Sequence, residues 1–275
     1  MAEPFKLCIL FGDNADRDPA RIAPGYDMAE VPVALQVKPF DSDALWEQKK
    51  AEIASWNLPP IKASSHFLQF WGLKPVGPGA DWEQLDFWTM RAFRRLAELG
   101  VETVGIYGGF FSVPDGFSRT KAMDQGIRFA NMLADHAEAH GMMIALEPLS
   151  DLTTLWPRYL EGIEFARRVG RDSVKVMADI DYLIALDSPL EDIAKEPDYC
   201  LHVHIAGDGG QPGVGDNEDT LLHLFRVLRD CGYERGVSSA CPWVDTEGKG
   251  ALDFGGETAK SLAYLRDLRD RVYSE

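Results

Sequence analysis

The chain has 275 residues, 45% of them hydrophobic and 26% charged, with a formal net charge of −16. That is ample for one large core, and the acidic balance argues against a broad nucleic-acid or anionic-membrane surface, since both need clustered Lys and Arg. Cys8, Cys200, Cys231 and Cys241 are widely spaced with no CxxC, so buried thiols rather than disulfides are expected. The first residues offer no basic leader and no long apolar run, and no stretch reaches the length of a membrane span, which points to a cytoplasmic protein.

In chain order, residues 5–11 read as a strand that breaks at Gly12-Asp13-Asn14. Residues 25–33 form a second strand carrying Asp27 and Glu30, residues 41–56 a helix, and residues 60–67 a third strand with His66 near its end. Between Asp81 and Gly100, Leu85, Trp88, Phe93, Leu96 and Leu99 recur at helical spacing. Residues 101–107 make the fourth strand, and Ser118 caps a long helix that Gly141 stops. The fifth strand, Met142-Met143-Ile144-Ala145-Leu146-Glu147-Pro148, is apolar until its final carboxylate. A carboxylate delivered by a buried strand costs several kcal/mol unless it is paired or bound to a metal, although a strand end spilling into a solvated loop is equally compatible with this stretch alone.

Residues 155–169 read as a helix, 174–180 as the sixth strand with Asp179, and 189–195 as a short helix. Residues 200–206 form the seventh strand with His202 and His204, 219–231 a helix, 236–241 the eighth strand, and 257–272 the closing helix. Eight strands alternating with helices, without a linker, imply parallel strands with right-handed crossovers in one domain over residues 1–275. The expected fold is a single (β/α)₈ TIM barrel with its site at the carboxyl ends of the strands. An open doubly wound sheet is less favoured because no strand leads into a GxGxxG helix entry.

In that barrel Glu147, Asp179 and His204 stand at the ends of three consecutive strands, where two carboxylates and an imidazole can converge on a divalent ion such as Mn²⁺, Mg²⁺, Co²⁺ or Zn²⁺. His136 and His140 also have ligand spacing, but on an outer helix beside Asp135 and Glu138 they read as a solvated face. Glu30 and His66 lie near the ends of strands two and three; Trp71, Phe110, Phe111 and Trp243 follow strand ends in loops, where a sugar-stacking wall and ordinary packing are both open readings. Tyr107 either reaches the pocket or fills the barrel. Loop cations near the mouth are few (Lys74, Arg119, Lys121), which favours a neutral sugar or polyol over a sugar phosphate.

The chain resembles the sugar isomerase/epimerase superfamily built on the xylose-isomerase-like barrel, which includes ketose 3-epimerases, hydroxypyruvate isomerases and inosose dehydratases. The resemblance is carried by Val113-Pro114-Asp115-Gly116-Phe117-Ser118, His140-Gly141 leading into Ala145-Leu146-Glu147-Pro148-Leu149, Met177-Ala178-Asp179, His202-Val203-His204 and Pro212-Gly213-Val214-Gly215. It implies a metal bound by Glu147, Asp179 and His204, with Mn²⁺ first among the candidates, and proton transfer next to a carbonyl. It further implies substrate contacts from positions such as Glu30, His66, Tyr107, Tyr182, His202 and Trp243, with His202 one layer deeper than His204. Homo-oligomers are common among such proteins, and the endonuclease branch of the barrel is disfavoured by the acidic charge and the unclustered histidines.

The sequence departs from that pattern at the eighth strand, where Ala240 in Val237-Ser238-Ser239-Ala240-Cys241 stands where the family has a second Glu, both a ligand and the second acid/base. Tyr182 likewise replaces a His, and the loop before Pro212 lacks the usual Arg. Three explanations of Ala240 stay open: a replaced catalytic Glu that leaves this form inactive, a natural one-base chemistry such as aldose–ketose isomerisation or a lyase/dehydratase elimination, or a silent sugar-binding or complex-forming subunit. Cys241 is no substitute, because its side chain should face the other side of the strand.

Overall fold

Short apolar runs bounded by glycine and polar residues set the strands, and capped amphipathic stretches set the helices between them. The computed structural model describes residues 3–12, 17–67, 69 and 71–275. Strands β1 (Lys6–Leu10), β2 (Met28–Pro32), β3 (Ile61–Ser65), β4 (Thr103–Tyr107), β5 (Met143–Glu147), β6 (Val174–Asp179), β7 (Cys200–Ile205) and β8 (Gly236–Ser239) pair in sequence order, all parallel, and β8 returns to β1 to close the barrel. Around it lie α1 (Asp43–Ser55), α2 (Trp82–Leu99), α3 (Arg119–Ala139), α4 (Tyr159–Val169), α5 (Ile180–Ala185), α6 (Asp192–Lys195), α7 (Glu218–Asp230) and α8 (Phe254–Ser274). The expected TIM barrel is the fold observed.

Strand alternation divides the residues into two populations. Outward positions such as Leu7, Ile9, Val31, Val104, Ile106, Ile144, Leu146, Val176, Val203 and Val237 join the helices in one apolar layer. Inside the barrel the apolar content is small: Ala145, Met177 and Leu201, with Met143 packed on them. The rest of the interior near β2, β7 and β8 is polar, with Glu30, His202, His204 and Ser238 all buried.

Several features differ from the sequence reading. The helix expected from residue 155 starts at Tyr159, because Pro157 disfavours helix at the preceding Trp156, whose ring turns into the core against Phe111 and Phe165. Directly after β6 comes α5, which the apolar run hid; Asp179 caps it, its Oδ1 accepting the Asp181 N–H at 2.9 Å. β8 ends at Ser239, yet the Ala240 N–H still donates to the Ile205 carbonyl at 3.2 Å and holds Ala240 in strand register. Asp13 and Asn14, read as a break, lie outside the described residues.

Gly236 at the start of β8 has a specific steric duty. A Cβ there would stand 2.7 Å from Cε1 and 2.9 Å from Nδ1 of His202, closer than the packed ring can give without moving. Gly236→Ala is therefore expected to destabilise the fold by about 1–3 kcal/mol, the cost of overpacking, read as a lower urea midpoint with unchanged slope.

Candidate active site

β5, β6 and β7 each deliver one inward side chain at the same height, because Asp179 pairs with His204 across β6 and β7 and Glu147 closes β5 opposite Tyr107. His204 Nδ1 lies 3.4 Å from Glu147 Oε1 and 3.7 Å from Asp179 Oδ2. One donor atom from each of the three lies within 4.8 Å of the others. Two largely buried carboxylates this close need a cation or a proton between them.

The opposite nitrogen of His204 is engaged from below. Glu30, fully buried on β2, accepts from His204 Nε2 at 3.0 and 3.2 Å and from His202 Nε2 at 3.1 Å, and His202 Nε2 also lies 2.8 Å from Ser238 Oγ. An ionised carboxylate only accepts, so the Glu30 contact assigns the proton to His204 Nε2 and turns the Nδ1 lone pair toward Glu147 and Asp179. Burial alone would raise the Glu30 carboxyl and lower His204, but the opposite charges and hydrogen bonds win. Glu30 is held well below the usual carboxylate range, chiefly by His204 and His202, while Glu30, Asp179 and Glu147 hold His204 well above the usual imidazole range. The proton that His204 takes on Nδ1 occupies the position where the same donors would meet a divalent ion.

The donor set fits such an ion: two carboxylates and an oriented imidazole suit Mn²⁺, Mg²⁺, Co²⁺ or Zn²⁺. Ala240 lines the same cavity with a methyl group, so three candidate ligands are available where the resemblance implied four. Glu30, His202 and His204 form a second group of ligating side chains, but their facing atoms already satisfy one another and Ser238, and they serve as the support beneath the first.

Above the cluster opens a cavity of ≈ 350 Å³, within the size range of small-molecule sites. Tyr107 and Tyr182 line it beside Glu147, and burial followed by the Glu147 charge pushes both phenols up, so they stay protonated donors. His66 enters from β3 with φ +54° and its Nδ1 3.1 Å from Ser65 Oγ. Arg17 and Gln69 also line the mouth. Both come from loops with no periodicity, and the sequence carried no signal for them; Arg17 adds a cation to a mouth where few were expected.

Of the residues singled out in the sequence, Glu147, Asp179, His204, His66, Tyr107, Tyr182 and Ala240 come together at this mouth. Glu30 does not reach it as a substrate contact, since it is buried beneath His204; His202 is one layer deeper, as expected. Trp243 is not at the mouth either: it is buried edge-on against Phe254, 5.2 Å between ring centres. Phe111 is core, Trp71 packs on Phe40 and Phe67, and Phe110 stands beside Tyr107. His136 pairs with Asp86 on the outer face. Cys241 borders the same cavity, yet it is buried and packed with the apolar layer near Tyr26. Among the described residues no helix is long and apolar enough to cross a membrane.

Residues 21–268 match the protein-family model described as xylose isomerase-like TIM barrel. D-psicose 3-epimerase of Agrobacterium fabrum (strain C58) is 26% identical over 185 residues, 65% of this chain and 60% of that protein, so the match spans less than two thirds of that relative. Among solved structures, D-psicose 3-epimerase with D-tagatose from Clostridium cellulolyticum H10 superposes with TM-score 0.76 at 20% identity, covering 96% of this chain and 99% of that one. The 3-keto-D-glucoside 4-epimerase of E. coli gives TM-score 0.69 at 21% identity, covering 96% and 99%. At these identities the superpositions establish the shared fold.

Two calorimetric outcomes follow from the cluster. Titration with Mn²⁺ near neutral pH should release about one proton per ion, because the cation displaces the proton held on His204; heats compared across buffers of different ionisation enthalpy measure it. Glu30→Gln should weaken Mn²⁺ binding roughly 10–100-fold, the usual cost of losing the carboxylate behind a ligating histidine.

Proposed function

The chain belongs to the xylose isomerase-like TIM barrel family, and from that premise we propose that it is a divalent-metal-dependent sugar epimerase or isomerase. It moves a proton on the carbon next to a carbonyl of a keto- or hydroxy-sugar. The observation that carries this reading is the convergence of Glu147, Asp179 and His204 at the floor of the mouth cavity. The relatives support it through their substrates: a D-psicose 3-epimerase, the same enzyme type with D-tagatose, and a 3-keto-D-glucoside 4-epimerase all invert a carbon of a small sugar.

Glu147, Asp179 and His204 would hold the ion, which when bound supplies Lewis acidity to the carbonyl. The remaining work falls to side chains. Glu147 takes the proton from carbon, and its placement beside the cluster keeps that proton transfer short. Tyr107 and Tyr182, kept protonated by burial and by Glu147, donate hydrogen bonds to substrate oxygens as charge builds there. Glu30, His202 and Ser238 hold the His204 ring so that Nδ1 faces the mouth. With a chain charge of −16, a neutral sugar or polyol is the favoured partner and nucleic acid is not.

Ala240 favours a second reading, a metal-dependent lyase or dehydratase on an oxidised sugar, because one carboxylate suffices to start an elimination; a silent sugar-binding subunit is the third. A panel of ketoses and 3-keto sugars with Mn²⁺ separates them. The chain as it stands should turn over at least one sugar of the panel, and Glu147→Gln should slow that reaction about 10²–10⁴-fold. Water loss from an oxidised sugar would favour the lyase, and silence from both this chain and Ala240→Glu would leave the binding role.

A further inference from the structure

Resting on the proton-transfer reading given above, we propose that the substrate is a keto-sugar bearing an aromatic aglycone, and that a second cavity beside the mouth takes the aglycone. This cavity, of ≈ 350 Å³, lies between the loops that follow β3 and β4 and is walled by Leu73, Val76, Phe110, Val113 and Pro114. The same two segments build the mouth a few residues earlier, with His66 and Gln69 just past β3 and Tyr107 at the end of β4. Phe110 stands edge-on to the Tyr107 ring at 5.8 Å between ring centres. Gly109 has no side chain to keep that ring away, since a Cβ there would overlap its Cε1. Tyr107 faces the mouth while Gly109 and Phe110 line the second cavity, so the two cavities share this wall.

The two cavities differ in chemistry. The mouth presents carboxylates, phenols, His66 and Gln69, groups that hydrogen-bond sugar hydroxyls. The second cavity presents mostly carbon, with Lys74 and Ser112 as the polar side chains among its lining residues. Sugar hydroxyls moved there would lose hydrogen bonds to water without replacing them. An aromatic group gains by leaving water and has the Phe110 ring to pack on. Both walls are pinned, so little ordering is needed when a ligand enters. Gln125 holds the first loop through the Gly77 N–H and carbonyl at 2.8 and 2.9 Å. In the second, the Val113 N–H donates to the Thr153 carbonyl at 3.0 Å, beside an antiparallel bridge between Ser112 and Thr154.

Chemistry then sets the oxidation state of the substrate. A glycoside is an acetal at its anomeric carbon and does not open to a carbonyl. A carbon-bound proton that Glu147 can remove therefore requires a ring hydroxyl already oxidised to a ketone, which makes the substrate an aryl keto-glycoside. The reaction that supplies it is oxidation of one ring hydroxyl of an aryl glycoside by a separate dehydrogenase, whose nicotinamide or flavin accepts the hydride. With the sugar seated at the cluster, its bond to the aglycone passes the Tyr107–Phe110 wall.

Phenyl and methyl β-D-glucoside carry no ketone and are not turned over, so they test the cavity by calorimetry with Mn²⁺ present. The phenyl glucoside should bind about 10–100-fold more tightly, the worth of burying one aromatic ring. Val113→Asp on one wall and Leu73→Asp on the other should each remove most of that preference, and the nearly isosteric Val113→Thr a smaller part. Equal binding of the two glucosides by the wild-type chain would overturn the proposal, as would a preference that all three variants leave intact. Turnover is read separately, with phenyl and methyl 3-keto-β-D-glucoside in D₂O, where the phenyl compound should have the higher kcat/KM by a similar factor. A phenyl preference in binding without deuterium entering any sugar would sink the proton-transfer reading and leave the cavity assigned. Deuterium exchange with no phenyl preference would sink the cavity and leave that reading standing.

Discussion

The architecture of the mouth depends on one buried carboxylate. Glu30 sits inside the barrel with no solvent contact and is held between His202 and His204. Removing a carboxylate from water without partners costs several kcal/mol, so this charge compels the two imidazoles to face it. That requirement orients both rings at once. The deeper ring is steadied further by Ser238, and it has room only because β8 begins with glycine. The upper ring is left with its Nδ1 pointing at Glu147 and Asp179. A ligand set at the strand ends is thus prepared by a charge one layer beneath it.

The same interior shows why the barrel can afford so much polarity. Apolar packing lies mainly outside the strands, where the helices cover Leu, Ile and Val side chains in one continuous layer. Within the barrel the apolar plug is confined to the β5–β7 side, and the polar network fills the side toward β2 and β8. The two populations come from strand alternation, with one face given to stability and the other to chemistry.

Ala240 distinguishes this mouth from the pattern that the sequence resemblance implied. The methyl group takes a place in the cavity wall without charge, and neither neighbour supplies a carboxylate: strand alternation turns Ser239 outward from β8, and Cys241 borders the cavity while packing with the apolar layer. The mouth keeps a carboxylate at the end of β5 and an imidazole just beyond β3. The two tyrosines are hydrogen-bond donors on the carboxylate side.

Much of this was legible from the chain alone. Eight apolar runs alternating with capped helical stretches specify a closed parallel barrel, because period and punctuation are local properties. Glu147, Asp179 and His204 could be grouped because each ends a strand and the three strands are consecutive. Other features needed the tertiary structure. Glu30 and Trp243 were expected at the mouth and are buried, since a strand or loop position does not reveal how far a side chain lies along the barrel axis. Helix α5 was hidden in an apolar run that periodicity could not divide, and Arg17 joins the mouth from a loop without any pattern. The sequence by itself determined which strands exist and which residues end them. Only closure of the barrel decided which side chains share a height and a wall, because those depend on stagger between strands far apart in the chain.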